Sequence, residues 1–197
     1  MNRPEYLANR LRNQLGIPDD EKLSSLDLLR RLKFARVIED FRESPARLMD
    51  GRDAFWDEPS RSILLSPKLW EQVHETNESS EARFTVVHEA GHAVLGHTSR
   101  NRMRGGAQQF GRAVEPDEIE ADAFARAFVV PLQFAKVATS VTVLVDRFGM
   151  PADQADQRLV DLERHIRASG QVESEPDTDN YAEAMSAMRI NALNWNR

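Results

Sequence analysis

The sequence predicts an α+β fold. Helical periodicity runs through residues 4–33 and through most of the chain after residue 80, whereas residues 34–65 hold short strand-like pieces set apart by turn residues. Prolines and glycines stand at the ends of the periodic runs, where they open or stop helices. The 197 residues fit one domain with embellishments. The expected division is an N-terminal helical segment (1–33), a core (34–131), a C-terminal helical region (132–170), and an acidic linker with a short helical tail (171–197).

In the first segment Pro4 suits a first turn, Leu7, Leu11 and Leu15 recur at helical spacing, and Gly16-Ile17-Pro18 stops the run. Asp19 or Asp20 is expected to cap a second helix carrying Leu23, Leu26, Leu29 and Leu32. Strand-like pieces follow at 34–38, 47–49, 54–56 and 62–65, with turns at Asp50-Gly51 and Glu58-Pro59-Ser60. Together they read as a small, partly antiparallel sheet.

Residues 81–97 form a helix with Ser79 or Ser80 as its cap and Phe84, Val87, Gly91, Val94 and Leu95 along one stripe. The loop after it, 98–114, holds Arg100, Arg102, Arg104 and Arg112 and no acid. Pro116 opens the next helix and Pro131 closes it. Val137, Val141, Leu144, Val145 and Phe148 fit a helical stripe ending at Gly149, although the β-branched run VATSVTVLV would also suit a strand. Ala152, Ala155, Leu159, Leu162 and Ile166 define a cleaner helix. QVESEPDTDN reads as a linker, and Tyr181, Met185, Met188, Ala192 and Trp195 would line a last short helix.

Composition removes several classes of function. The chain has no cysteine, which excludes disulfide frameworks, iron–sulfur clusters, thiolate zinc sites and cysteine nucleophiles. It has 26 basic and 32 acidic residues, a formal charge of −6 that argues against a dedicated nucleic-acid binder. No run of about 18 apolar residues is present to span a membrane, and the first residues lack a signal-peptide core. A cytoplasmic location is the expectation.

The chemistry concentrates at His88-Glu89-Ala90-Gly91-His92. Two histidines four apart on a helix are rotated by about 40°, so both imidazoles leave one face, as a tetrahedral zinc needs from two ligands. Glu89 lies about 100° round from His88, close enough to serve as general base toward an activated water but poorly placed as a ligand. Three residues compete for the third ligand. His97 would point about 140° away from His92 on a continuing helix, which suits a cation at the helix C-terminus better. Glu118 and Glu120 lie on the helix after Pro116. Glu118 shares its face with Asp122, so Glu118 could bind an ion while Asp122 accepts the free N–H of His88 or His92. That double use favours Glu118, with Glu120 as its rival.

At this point the chain resembles the ImmA/IrrE metallopeptidases of the gluzincin group. The matching stretches are RFTVVHEAGHAVLGH (83–97) and EIEADAFARAFVVP (118–131), with weaker likeness at ILLSP (63–67) and DRFGMPADQADQRL (146–159). The resemblance implies a minimal zincin-like core, a small and mostly antiparallel sheet packed on the motif helix, with additional helices at both ends. It implies ligands His88, His92 and Glu118 and a catalytic Glu89. It also implies a protein substrate, most often a helix-turn-helix transcriptional repressor. Zinc is the expected ion, and such a donor set also accepts manganese or iron.

Several roles stay open on the sequence. The oxyanion donor could be Tyr181, His165, His74 or a loop arginine, and the loop could border the cleft as a lid. Substrate would add to a free sheet edge among the strands of 47–65. The helices either side of Gly149 could be mistaken for a DNA-reading pair, but the second is net acidic. The alternative to a peptidase is a regulatory binding module, an antirepressor or toxin–antitoxin partner, that keeps a structural metal site. Such a module has no use for Glu89.

Overall fold

The computed structural model describes residues 2–18, 22–98, 116–134 and 137–168. Helix α1 (Arg3–Gln14) starts at Asn2, whose side chain accepts from the Glu5 N–H, with Pro4 in the first turn. Helix α2 (Ser25–Phe34) is capped by Ser24, through a bond from the Asp27 N–H. The expected caps Asp19 and Asp20 lie outside the described residues. Leu23 and Leu28 sit at the spacing of a hydrophobic staple around this cap, and both are buried.

The sheet has three strands in the order β1-β3-β2, with β1 at Asp40–Glu43, β2 at Ala54–Asp57 and β3 at Ser62–Leu65. It is mixed: β2 and β3 form an antiparallel hairpin, while β1 lies parallel to β3. The sheet is therefore less antiparallel than its sequence suggests. The short turn at 58–61 dictates the direction of β2 against β3. The chain between Glu43 and Ser62, by contrast, is long enough to cross over and return parallel. Two strand expectations fail locally. Residues 34–38 end α2 and turn back on it, because Arg36 adopts φ 58° and Val37 N–H bonds to Leu32 C=O at 3.0 Å. Residues 47–49 belong to the short helix α3 (Ala46–Met49), which Pro45 introduces and a left-handed Asp50 ends.

All four residues of β3 are buried, as its uniformly apolar Ile-Leu-Leu run demands of a central strand. Helix α4 (Pro67–Val73) follows, capped by Ser66. Helix α5 (Ser80–Leu95) then runs through the middle of the molecule, packed against α1, α2, α4, β2 and α6 (Pro116–Val129). Ser79 caps it and Gly96, at φ 73°, ends it. Beyond a 3₁₀ turn (Leu132–Phe134), α7 (Val141–Phe148) and α8 (Ala152–Ala168) enclose a second apolar cluster around Leu144, Phe148, Met150 and Leu162. The β-branched run before Gly149 is thus helical from Val141 onward, with Val137 lying ahead of the helix. Ser140 caps its start, and Leu144 and Phe148 turn inward. The tail after residue 168, including Tyr181, Met185, Met188 and Trp195, lies outside the described residues. Among the described residues no helix is long and apolar enough to cross a membrane.

Two interactions position α5 and α6. The first is a close crossing. A Cβ on Gly91 would stand 3.0 Å from the Phe124 ring and 3.3 Å from the Ala121 carbonyl oxygen, so a larger residue would have to push the two helices a few tenths of an ångström apart. The second is a buried ion pair: Arg158 of α8 donates to both carboxylate oxygens of Glu5 at 2.7 and 2.9 Å and also to Val130 C=O. It ties α8 and the end of α6 to α1.

Gly91→Ala is expected to lower stability by about 1–2 kcal/mol in urea unfolding, although alanine by itself favours a helix by about 1 kcal/mol. Unchanged or raised stability would show that the two helices have room to part.

Candidate metal centre

The crossing dictates what meets what. His88 lies three residues before Gly91, and Glu118 three before Ala121, so each sits one turn back on the face that its helix turns to the other. His92 and Asp122 follow the contact by one residue on their own helices. Four side chains from two helices thereby gather beside a single glycine.

His88 Nε2 stands 2.9 Å from His92 Nε2 and 3.2 Å from Glu118 Oε2, and His92 Nε2 stands 3.7 Å from the same oxygen. A tetrahedral ion with bonds of about 2.0 Å sets its donors about 3.3 Å apart. The three separations bracket that value, and the donors are of the type that first-row divalent ions prefer. Three lone-pair donors this close, with no apolar atom required between them, fit an ion. The His92 ring is fully buried and the His88 side chain is 16% exposed, whereas Glu118 is 36% exposed, so the cluster opens to solvent on its α6 side.

Asp122 Oδ1 lies 2.8 Å from His88 Nδ1, where it accepts that nitrogen's proton and leaves Nε2 facing the cluster. Burial pulls the His88 pKa down. Hydrogen bonds to Asp122 and Glu118, with the charges of Glu89 and Asp122, outweigh burial and push it from 6.5 up to about 9. In the metal-free protein a proton on His88 thus plays the part of a cation among the same carboxylates.

Glu89 is buried, and its Oε2 accepts from the backbone N–H of Trp56 at 2.6 Å. Trp56 belongs to β2, an edge strand, and this bond shows that the free edge of β2 faces the cluster rather than that of β1. The sequence left the choice of edge open.

The remaining site expectations divide. Glu120, the rival third ligand, pairs instead with Arg3 at 3.3 Å and with His97. His97 does not point away from His92 as it would on a continuing helix. The helix breaks at Gly96, the chain folds back so that His97 N–H bonds to His92 C=O, and the buried His97 ring meets His92 Nδ1 at 2.8 Å. The C-terminal carbonyl of Leu95 is satisfied by Arg3, at 2.7 Å. The Gly96 break was the one signal that could have revealed His97. His74 bonds through Nδ1 to Trp70 C=O and packs on the Trp70 ring, and His165 lines a groove with Asn2, Glu5 and Asp161. The loop arginines and Tyr181 lie outside the described residues. Arg158, one of the bases of α8, is buried on Glu5.

An α+β frame that gathers two imidazoles and a carboxylate beside a buried glutamate has the donor set and spacing of a candidate metal site, as metal-dependent hydrolases require. The chain belongs to the ImmA/IrrE family of metallopeptidases: the family model Peptidase_M78, the IrrE N-terminal-like domain, matches residues 39–160. No curated protein and no solved structure shows a significant match to the chain.

Because the folded-state pKa of His88 is raised, its contribution to the stability of the metal-free protein is complete below about pH 6.5 and is lost as pH rises through about 9. Thermal melts of metal-free protein between pH 6 and 10 should show this loss, and His88→Gln should flatten it. A wild-type profile as flat as the variant's would contradict the assigned environment.

Proposed function

We propose that the protein is a zinc-dependent endopeptidase acting on a specific cytoplasmic protein, a helix-turn-helix transcriptional repressor. The observation that carries this reading is the convergence of His88, His92 and Glu118 beside a glutamate that is itself bonded to an open sheet edge. Family membership supports the peptidase class. The repressor as substrate rests on the resemblance of 83–97 and 118–131 to the ImmA/IrrE enzymes.

In this mechanism His88, His92 and Glu118 hold the ion, which supplies Lewis acidity toward the attacking water and the scissile carbonyl. Asp122 keeps the His88 proton on Nδ1. Glu89 takes a proton from the attacking water and passes it to the departing amide nitrogen. The Trp56 N–H that it accepts from holds its carboxylate beside β2, where an extended substrate segment would add as a further strand. An ion held for structure alone would need neither a buried base nor an adjoining free edge.

Glu89→Gln should retain one zinc per chain while proteolysis falls by about 10²–10⁴-fold. Glu118→Ala should lose the zinc as well. Terminal-peptide mass spectrometry of cells carrying wild type or Glu89→Gln should find a new N-terminus within a helix-turn-helix repressor only in the wild type. If regulation of the partner persists in Glu89→Gln with no new terminus in either strain, the protein is a binding module and not a peptidase.

A further inference from the structure

We propose that His97 is a positioning residue of the metal centre, setting the tautomer of His92 through a hydrogen-bonded chain that ends on Glu120 and Arg3. The inference rests on the metal-centre reading above and names the device that makes His92 a competent ligand within it.

His92 Nδ1 and His97 Nδ1 lie 2.8 Å apart with their rings edge to face, 4.9 Å between centroids and 65° between planes. At that distance one nitrogen carries a proton and the other accepts it. If His97 were the donor, a neutral His92 would carry its own proton on Nε2, the atom that faces His88 Nε2 and Glu118, and it would offer no lone pair there. If His92 is the donor, its Nε2 lone pair faces the cluster, as a ligand requires.

The far side of His97 selects the second arrangement. Its Nε2 lies 3.4 Å from Glu120 Oε2 and 3.9 Å from Asp117 Oδ1. An ionised carboxylate only accepts, so it calls for a proton on His97 Nε2 and leaves Nδ1 of the neutral ring as the acceptor. Arg3 fixes Glu120 by bonding to the same Oε2 while its other amino group bonds to Leu95 C=O at the end of α5.

The two ligand histidines thus receive different support for a physical reason. His88 is partly open, and Asp122, itself 37% exposed, reaches it directly. His92 is fully buried, and a carboxylate placed against its Nδ1 would be buried with it at a cost of several kcal/mol. A neutral imidazole carries the hydrogen bond across that buried gap and delivers it to a carboxylate 41% exposed. The left-handed Gly96 is what lets the chain return His97 to this position.

Asparagine and leucine have nearly the same size, and only asparagine offers an acceptor near the Nδ1 position. Zinc affinity of the full chain, measured by competition with a chromophoric chelator, is expected to fall about 10–100-fold in His97→Leu and to stay near wild type in His97→Asn. The visible absorption of the cobalt-loaded protein should shift in the leucine variant alone. Equal affinities in the two variants overturn the proposal. Should the leucine variant not fold, nitrogen NMR of wild-type protein labelled in histidine decides between the two tautomers. A proton on His92 Nδ1, coupled across the hydrogen bond to His97 Nδ1, upholds the proposal, and a proton on His97 Nδ1 refutes it. A wild-type chain that takes up no divalent ion overturns the underlying metal-centre reading, and this inference with it.

Discussion

The site depends on how closely α5 and α6 approach. At Gly91 the two helices touch backbone to ring, with no side chain between them. A helix has its neighbours one turn away at three and four residues, so this single contact delivers His88 and His92 from one helix to Glu118 and Asp122 from the other. The requirement is geometric before it is chemical. Donors must come within about 3.3 Å of one another to share one small ion, and a helix pair spaced by a larger residue would hold them apart. Alanines at 121 and 125, both fully buried, continue the same close packing along α6.

Close packing of this kind concentrates charge, and the structure distributes it. Four carboxylates of α6, Asp117, Glu118, Glu120 and Asp122, each lie 2.8 to 3.9 Å from a ring nitrogen of His88 or His97, two on the face turned to α5 and two toward the turn that follows it. Acidic residues in the first turn also suit the positive end of a helix. The raised His88 pKa is the electrostatic result: carboxylates close enough to share a divalent cation also hold a proton strongly.

Much of this cluster is legible in the sequence because its candidate ligands follow local rules. The i, i+4 spacing of His88 and His92, and of Glu118 and Asp122, depends only on helix geometry, and both helices carry clear start and stop residues. What escaped was decided by contacts between segments distant along the chain. The place of His97 follows from a left-handed turn at Gly96, after which helical angles no longer apply. The bond from Trp56 to Glu89 joins residues 33 positions apart, and no local pattern encodes it. The parallel pairing of β1 with β3 likewise depends on a crossover, and a four-residue strand is too short to announce its direction. At 34–38 the apolar residues that resemble a strand do not share one fate. Ile38 is buried where the chain folds back on α2, whereas Phe34 at the end of that helix is exposed, so no strand period is present to be read.

The N-terminal helix has a larger part in the centre than the extent of the family match suggests. Residues 39–160 carry the matched region, yet α1 lies before it and touches both α5 and α6. Arg3 holds Glu120 and the last carbonyl of α5, Arg12 donates to Phe128 C=O near the end of α6, and Glu5 takes the buried guanidinium of Arg158. These bonds reach the end of α5, both ends of α6, and α8, so α1 acts as a brace across them. Without Glu5 the buried Arg158 would lose its countercharge, which costs about 3–5 kcal/mol, more than most single surface contacts contribute. A domain cut at the boundary of the matched region would keep every candidate ligand and lose the brace that holds α5 and α6 in register. The spacing of the donors is therefore a property of the whole described chain and not of the two motifs alone.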